Sequence, residues 1–226
     1  MRRGGDRPRR ARDAQFLRAR PGAPGRWPVG VVLAGGAGRR LLHAGGESPR
    51  LEARRAARGR PLVAYPLGAL AGVCDRLAVV CKRETVLPPI DSAERWEEPD
   101  EPRHPLTGIV HALERTQAPT LVCAADMPFV TPEVLRALLA AVEEAPAAVA
   151  ATGRGREPLL ALYRPAVLPG LRAAPPGDPL RTTVADLEPV RVPVAEDVAR
   201  SVNTLGDLVE AEAALRARAI APGRSV

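Results

Sequence analysis

A glycine-rich stretch is the first feature of this sequence whose residue types suggest chemistry. Leu33–Leu41 reads LAGGAGRRL, and Gly35, Gly36 and Gly38 would let backbone N–H groups approach a phosphate. The stretch lacks the Gly-Lys-Ser/Thr ending of a Walker A loop and the third glycine of a dinucleotide-binding loop. Arg40 lies two residues beyond the last glycine, where it would neutralise phosphate charge. The stretch therefore predicts a phosphate-binding loop, with a plain glycine-rich turn as the alternative.

Asp126 is the second such feature, because it follows the apolar segment Thr120–Ala125 and precedes a Met-Pro turn. Ligands of open α/β sheets bind outside the carboxyl ends of the strands. A carboxylate there suits Mg²⁺, which takes few protein oxygens and completes its shell with phosphate and water. Turn formation is the alternative role of Asp126. Asn203 could add a neutral oxygen to the same metal, but spacing alone favours a local turn with Thr204 as the helix cap.

The elements that would position these residues alternate between strands and helices. The pattern predicts strands at Val29–Leu33, Arg76–Val80 and Thr120–Ala125, helices at about Pro61–Leu70 and Pro105–Arg115, a helix from Pro132 capped by Thr131, further segments at Ala147–Ala151, Pro158–Tyr163 and Val190–Val194, and a closing helix from about Leu205 to Arg218. Such alternation predicts a Rossmann-like α/β domain with a mostly parallel central sheet and helices on both of its faces.

Charge separates a tail from the body of the 226-residue chain. Residues 1–26 hold nine arginines and two aspartates, which together equal the formal net charge of +7 of the whole chain. We predict a disordered basic extension over residues 1–26, one domain over residues 27–220 and a short tail over residues 221–226. The extension shows no pattern of interleaved aromatic residues, so nucleic acid is not an expected partner.

The composition also favours a cytoplasmic protein without a membrane span. No apolar run approaches the ~18 residues that a membrane helix needs. The three cysteines are too few for a disulfide framework, which is typical of a reducing compartment. The oligomeric state stays open, with a monomer as one interpretation.

Several motifs, in the same order along the chain, resemble those of the MobA-like nucleotidyltransferases, the family that includes the molybdenum cofactor guanylyltransferases. The glycine loop resembles the family's L-A-G-G-x-x-x-R-M segment, and Asp126-Met127-Pro128-Phe129 resembles its D-M-P-F metal motif. Further similar segments are Gly59–Leu62 (G-[GKR]-P-L), Pro105–Ile109 (G-P-L-A-G-I, with His104 where glycine is usual), Tyr163-Arg164 (A-L-Y-R) and Val202–Thr204 (part of N-x-N-T-P-E-D-L).

The resemblance implies a fold of the nucleotide-diphospho-sugar transferase type. It implies that GMP moves from GTP to the phosphate of molybdopterin, or of its molybdenum form, while pyrophosphate leaves. Mg²⁺ is the implied cofactor, with Asp126 and Asn203 as its ligands. The implied nucleotide-binding residues are Leu33, Ala34, Gly35, Gly36, Gly38, Lys82 and Glu97, and the implied catalytic cations are Arg40 and Arg50.

The assignments of Arg50, Lys82 and Glu97 follow from departures from the family pattern. The family's phosphate-binding lysine has no direct match, and Arg50, after Ser48-Pro49, is the candidate replacement, with Arg39, Arg54 and Arg55 as alternatives. Lys82, the only lysine of the chain, falls where the family has a base-reading asparagine. The family's acidic residue falls at Glu97 or Glu98, of which Glu97 is the first candidate. Ser201 stands where the family has the first asparagine of N-x-N.

These departures leave alternative functions open. The chain could be a cytidylyltransferase for the same cofactor, although the D-M-P motif, rather than D-Q-P, favours the guanylyl branch. It could be a guanylyltransferase for a small phosphorylated hydroxy acid, or a catalytically weak nucleotide-binding accessory protein. The expected partners are GTP and a molybdopterin-type acceptor.

Overall fold

The computed structural model describes residues 28–35, 56–57, 59–143, 145–175 and 177–220. The predicted extension over residues 1–26 and the predicted tail over residues 221–226 lie outside the described residues. In chain order the elements are β1 (Val29–Leu33), β2 (Ala56–Ala57), β3 (Arg60–Pro61), α1 (Ala64–Ala71), β4 (Arg76–Cys81), β5 (Glu94–Glu97), α2 (Pro105–Thr116), β6 (Thr120–Ala124), α3 (Pro132–Ala141), β7 (Ala147–Thr152), β8 (Gly155–Tyr163), a 3-10 helix (Pro165–Val167), α4 (Leu168–Ala173), α5 (Leu180–Ala185), β9 (Val190–Pro193) and α6 (Leu205–Ile220).

Seven of the described strands form one sheet in the order β5-β4-β1-β6-β8-β7-β9. Six of them run in the same direction, and β8 runs antiparallel between β6 and β7. Only Gly153 and Arg154 separate β7 from β8, and a connection this short can join antiparallel strands only. The prediction of a mostly parallel sheet is confirmed. A separate short ribbon pairs β2 with β3.

Helices cover both faces of the sheet, as predicted. On one face Leu67 of α1 and Leu135 of α3 pack in the same cluster as Cys123 of β6. On the other face Ile109 of α2 packs in a second cluster with Val122 of β6, and this cluster includes residues of α4 and α5. Val122 and Cys123 are consecutive, and successive strand residues face opposite sides, so β6 contributes to both cores.

The last helix, α6, packs against the segments that follow β3, β6 and β9. The side of the sheet where the parallel strands have their carboxyl ends is called the carboxyl edge below. Ala211 of α6 packs against Leu62, Phe129 and Val202, which follow β3, β6 and β9 respectively. Arg218 of the same helix lies over the Phe129 ring, 4.7 Å from its centroid. The helix therefore holds the segment around Val202 against the end of β6.

Several local predictions differ from the structure. The helix predicted from Pro61 begins at Ala64, because Pro61 lies in β3. β5 was not predicted, because its sequence ERWE is mostly charged. It is an outermost strand of the sheet, and only its Trp96 is buried. Thr131 holds the N-cap position of α3, but its side chain makes no capping hydrogen bond. Among the described residues, no helix combines the length and apolar character that crossing a membrane requires.

Candidate active site

The chain leaves β1 between the ends of its two neighbouring strands. The Ala34 N–H donates to the Val80 carbonyl at 2.8 Å, and the Ala125 N–H donates to the Leu33 carbonyl at 3.0 Å. These bonds join the exit of β1 to β4 on one side and to the end of β6 on the other. Leu33, Ala34 and Gly35 therefore lie at the carboxyl edge of the sheet, where ligands of such sheets bind.

The rest of the predicted phosphate loop lies outside the described residues. This applies to Gly36, Gly38, Arg40 and Arg50. Their proposed contacts with the triphosphate stay predictions.

A buried ion pair lies directly beneath Gly35. The Lys82 and Glu98 side chains are 3% and 5% exposed, and Lys82 Nζ lies 3.4 Å from Glu98 Oε1. Lys82 Nζ also donates a hydrogen bond to the Pro99 carbonyl. Burial raises the pKa of the Glu98 carboxyl, and the Lys82 charge opposes this shift without cancelling it. Glu98 Oε2 is buried and has no hydrogen-bond partner among the described residues.

Two glycines make room for the Glu98 carboxylate. A Cβ atom at Gly35 would lie 2.2 Å from Glu98 Oε1, and a Cβ atom at Gly108 would lie 3.0 Å from Oε2. Gly108 belongs to the first part of α2, so the carboxylate is held between β1 and this helix. Glycine at position 35 thus serves the packing of this carboxylate as well as any approach of a nucleotide.

Glu97, the first candidate for the family's acidic residue, occupies a different environment from Glu98, and its predicted role in nucleotide binding stays a prediction. The Glu97 side chain is about half exposed and forms surface ion pairs with Arg83 at 3.7 Å and with Arg95 at 3.4 Å. Because successive residues of an extended chain face opposite ways, a shift of one residue separates a surface carboxylate from a buried one. Lys82 lies at the predicted edge, next to Gly35 and Glu98.

Asp126 lies at the same edge, just beyond the end of β6. Its side chain is half-buried and its Oδ1 atom is shielded from solvent. The Asp126 carbonyl accepts a hydrogen bond of 2.9 Å from the Val202 N–H. This bond brings the segment that contains Asn203 against Asp126.

The backbone of Asn203 and Thr204 forms the cap of α6. The N–H groups of Asn203 and Thr204 donate to Asp207 Oδ2 at 2.9 and 2.8 Å, and the Asp207 N–H donates to Thr204 Oγ1 at 3.0 Å. Burial acts to raise the pKa of Asp207, but these hydrogen bonds outweigh it and the pKa is lowered. The predicted capping role of Thr204 is confirmed, and the Asn203 side chain lines an adjoining cavity.

The residues present suit Mg²⁺ better than a metal ion that takes all of its ligands from protein side chains. Among the residues that the structure describes, no three His, Cys, Asp or Glu side chains are grouped to hold a metal. Asp126 and Asn203 would supply one carboxylate and one amide oxygen. Mg²⁺ is usually bound by one or two carboxylates plus phosphate and water, so this small donor set is sufficient.

A cavity of about 620 Å³ adjoins the Asn203 segment. The hairpin between β7 and β8, the start of α5 and the segment between β9 and α6 form its walls. Its lining is charged, and three arginines pair with carboxylates: Arg154 with Glu196, Arg181 with Glu157, and Arg200 with Glu210. The edge of the sheet therefore has two halves, one at β5-β4-β1 with the buried pair and one at β8-β7-β9 with the open cavity.

Comparison with known proteins identifies the family of this chain. The family model of the MobA-like NTP transferase domain matches residues 30–192. The chain belongs to this family. It is therefore a nucleotidyltransferase-type protein, and the matched residues include Gly35, Lys82, Glu98 and Asp126.

Relatives are named after guanylyl transfer to the molybdenum cofactor. The chain is 34% identical over 147 residues to a probable molybdenum cofactor guanylyltransferase of Natronomonas pharaonis, which covers 61% of this chain and 68% of the relative. It is 32% identical over 149 residues to a protein of the same name from Synechococcus elongatus, covering 62% of this chain and 73% of the relative.

Solved structures show the same fold. Molybdopterin-guanine dinucleotide biosynthesis protein A of Archaeoglobus fulgidus superposes with a TM-score of 0.63 at 24% identity, over 84% of this chain and 99% of that protein. The 2-C-methyl-D-erythritol 4-phosphate cytidylyltransferase of Thermus thermophilus gives a TM-score of 0.61 at 20% identity, over 84% and 99% of the two chains. At these identities the likeness concerns the fold, which is of the nucleotide-diphospho-sugar transferase type predicted from the sequence.

Proposed function

We propose that this chain transfers GMP from GTP to the phosphate of a molybdopterin-type acceptor and releases pyrophosphate. The observation that carries the proposal is the meeting of Gly35, the Lys82–Glu98 pair and Asp126 at one edge of the sheet. Family membership supports the nucleotidyl transfer, and the names of the relatives support the base and the acceptor.

The Lys82–Glu98 pair suits guanine better than adenine. Guanine carries two adjacent N–H donors, at N1 and at the 2-amino group, and Glu98 Oε2 is an acceptor with no partner among the described residues. Lys82 could donate to the neighbouring O6 of guanine. Adenine presents an acceptor, N1, where guanine presents a donor, so it would place two acceptors together against the carboxylate.

Asp126 and Asn203 would hold Mg²⁺, which when bound supplies positive charge beside the triphosphate. Arg40 and Arg50 would add further positive charge, and the backbone of Gly35, Gly36 and Gly38 would admit the phosphates. A phosphate oxygen of the acceptor attacks the α-phosphorus of GTP, and the bond to the pyrophosphate oxygen breaks. Such a reaction requires orientation and charge stabilisation and needs no covalent protein intermediate.

A catalytically weak nucleotide-binding protein is the second candidate. Lys82 favours it, because its charge is already paired with Glu98 at a position where the family reads a base with asparagine. Such a protein would bind GTP at the same edge of the sheet without turnover.

Pyrophosphate release with each of the four ribonucleoside triphosphates, with and without molybdopterin, tests the proposal. We expect release with GTP only, and only when the acceptor is present. Preference for CTP would identify a cytidylyltransferase. Tight GTP binding with no pyrophosphate release would favour the accessory protein.

A further inference from the structure

The charged cavity lies within reach of Asp126. Strand β8 is the neighbour of β6 in the sheet, and the two run antiparallel, so the start of β8 and the end of β6 share one edge. Glu157, near the start of β8, lines the cavity, as does Asn203 on the segment bonded to Asp126. A volume of about 620 Å³ is typical of a small-molecule site. A ligand seated on Glu157 would therefore extend toward the end of β6 where the reaction is proposed.

Glu157 is the most sequestered of the ion-paired carboxylates in this cavity. Its side chain is 17% exposed, whereas those of Glu196, Asp197 and Glu210 are 54% to 69% exposed. Arg181 Nη2 donates to Glu157 Oε1 at 2.8 Å, and Arg181 Nη1 donates to the Arg154 carbonyl at 3.4 Å. The guanidinium thus fixes the Glu157 carboxylate against the β7–β8 hairpin.

A carboxylate held in one position restricts which chemical group of a ligand can lie against it. A phosphate group would be repelled by Glu157, so the group that lies against it must bring N–H donors. A 2-amino-4-oxopyrimidine ring brings two adjacent donors, which match the two oxygens of a carboxylate. The 4-oxo group of such a ring is an acceptor that the neighbouring Arg181 guanidinium can serve.

We infer that Glu157, oriented by Arg181, binds the 2-amino-4-oxo ring of a pterin acceptor and so determines which acceptors the protein uses. The inference rests on the proposed function and adds the residue that recognises the acceptor. Guanine carries the same ring edge, but the proposed guanine site is the buried Lys82–Glu98 pair in the other half of the edge. Pterin and guanine should therefore bind at the same time.

Fluorescence titration of the full chain with 6-hydroxymethylpterin tests this inference. The titration is run without nucleotide and again at saturating GTP. The comparison ligand is 6-hydroxymethyl-lumazine, the 2,4-dioxo analogue of the same pterin that lacks the 2-amino donor, called lumazine below. The variants are Glu157→Gln, which replaces one acceptor oxygen by a donor, and Glu196→Gln as the matched control in the same cavity. A thermal melt of each variant verifies that it is folded.

We expect wild type to bind the pterin more tightly than lumazine. Glu157→Gln should weaken pterin binding by about tenfold or more and remove the preference over lumazine, while Glu196→Gln changes either affinity by less than about twofold. Unchanged pterin binding by Glu157→Gln, or an equal loss in Glu196→Gln, would overturn the inference. Displacement of the pterin by GTP would also overturn it, because the ring would then occupy the nucleotide site.

Pyrophosphate release by the same wild-type preparation separates this inference from the proposed function. Release with GTP and molybdopterin, together with a Glu157→Gln variant that binds pterin normally, contradicts the inference alone. Selective pterin binding that depends on Glu157, without any release, contradicts the proposed transfer and supports the pterin site.

Discussion

The two halves of the sheet edge use ion pairs in opposite ways. At β4 and β5 the Lys82–Glu98 pair is buried beneath Gly35, and its geometry is fixed by packing. At β8 and β9 the pairs line an open cavity where water reaches most of their side chains. Burial makes the first pair costly to break, whereas solvent screening makes the second group nearly neutral for stability. The first half is thus a rigid site, and the second leaves its charged side chains accessible to a ligand.

Breaking the buried pair should give the largest effect on stability. Lys82→Met keeps the alkyl stem but leaves Glu98 buried without its cation, so we expect the free energy of unfolding to fall by about 3–5 kcal/mol. Arg154→Met removes an exposed pair of the cavity and should cost less than about 1 kcal/mol. Urea unfolding measures both. Equal losses in the two variants would remove the distinction between the halves, and the double variant Lys82→Met with Glu98→Gln should recover much of the loss.

The loss in Lys82→Met should also depend on pH. The pKa of Glu98 is raised by burial above its ordinary value of 4.5, so the folded protein holds this proton more tightly than the unfolded chain. Stability therefore falls as pH rises from the ordinary pKa to the raised one. Without Lys82 the pKa rises further and this range extends upward. The deficit of the variant should be larger at about pH 8 than at about pH 5.

The next largest effect should be on the choice of nucleotide base, and only substitution of the buried Glu98 should cause it. Glu98→Gln replaces one carboxylate oxygen by an amide donor, which suits the N1 acceptor of adenine better than the N1–H of guanine. We expect the ratio of GTP to ATP affinity to fall by about tenfold or more, measured by calorimetry. Glu97→Gln is the matched control, since its side chain lies on the surface with Arg83 and Arg95. A similar change in both variants would place base recognition elsewhere.

The smallest expected effect on stability concerns the N-terminal cap of α6, which joins the two halves of the carboxyl edge. Asp207→Ala removes the acceptor of the Asn203 and Thr204 N–H groups, and the free energy of unfolding should fall by about 1 kcal/mol. Because the pKa of Asp207 is lowered, its contribution is present above the ordinary pKa and lost as pH falls through the folded value. Glu210→Ala, which removes an exposed pair with Arg200, should show a smaller loss in the same chemical unfolding measurement.

The sequence predicted the parallel core well because its strands are continuous apolar runs. Val29–Leu33 matches β1 residue for residue, and Thr120–Ala125 exceeds β6 by a single residue. β5 could not be found this way, because a charged edge strand has no apolar run. The reversal at β8 depends on a two-residue hairpin, which the spacing of apolar segments does not reveal.

The candidate site was predictable where a motif carried it and not where packing decided it. Asp126 follows a strand, and its position at the sheet edge follows from that order alone. The choice between Glu97 and Glu98 depends on which side of the chain faces Gly35, a contact between residues more than sixty positions apart. The glycine at position 108 was a further signal, since glycine early in a helix marks a close approach by another group.

Pyrophosphate release by Asp126→Asn is the most direct test of the central claim, that the chain transfers a nucleotide at the edge where Asp126 lies. Asp75→Asn is the matched control, because Asp75 is an exposed aspartate just before β4, at the opposite edge of the sheet. With GTP, Mg²⁺ and molybdopterin, Asp126→Asn should lose about 10²-fold in rate, equivalent to about 2.7 kcal/mol of barrier, and Asp75→Asn should match wild type. Turnover by Asp126→Asn at the wild-type rate would contradict the account.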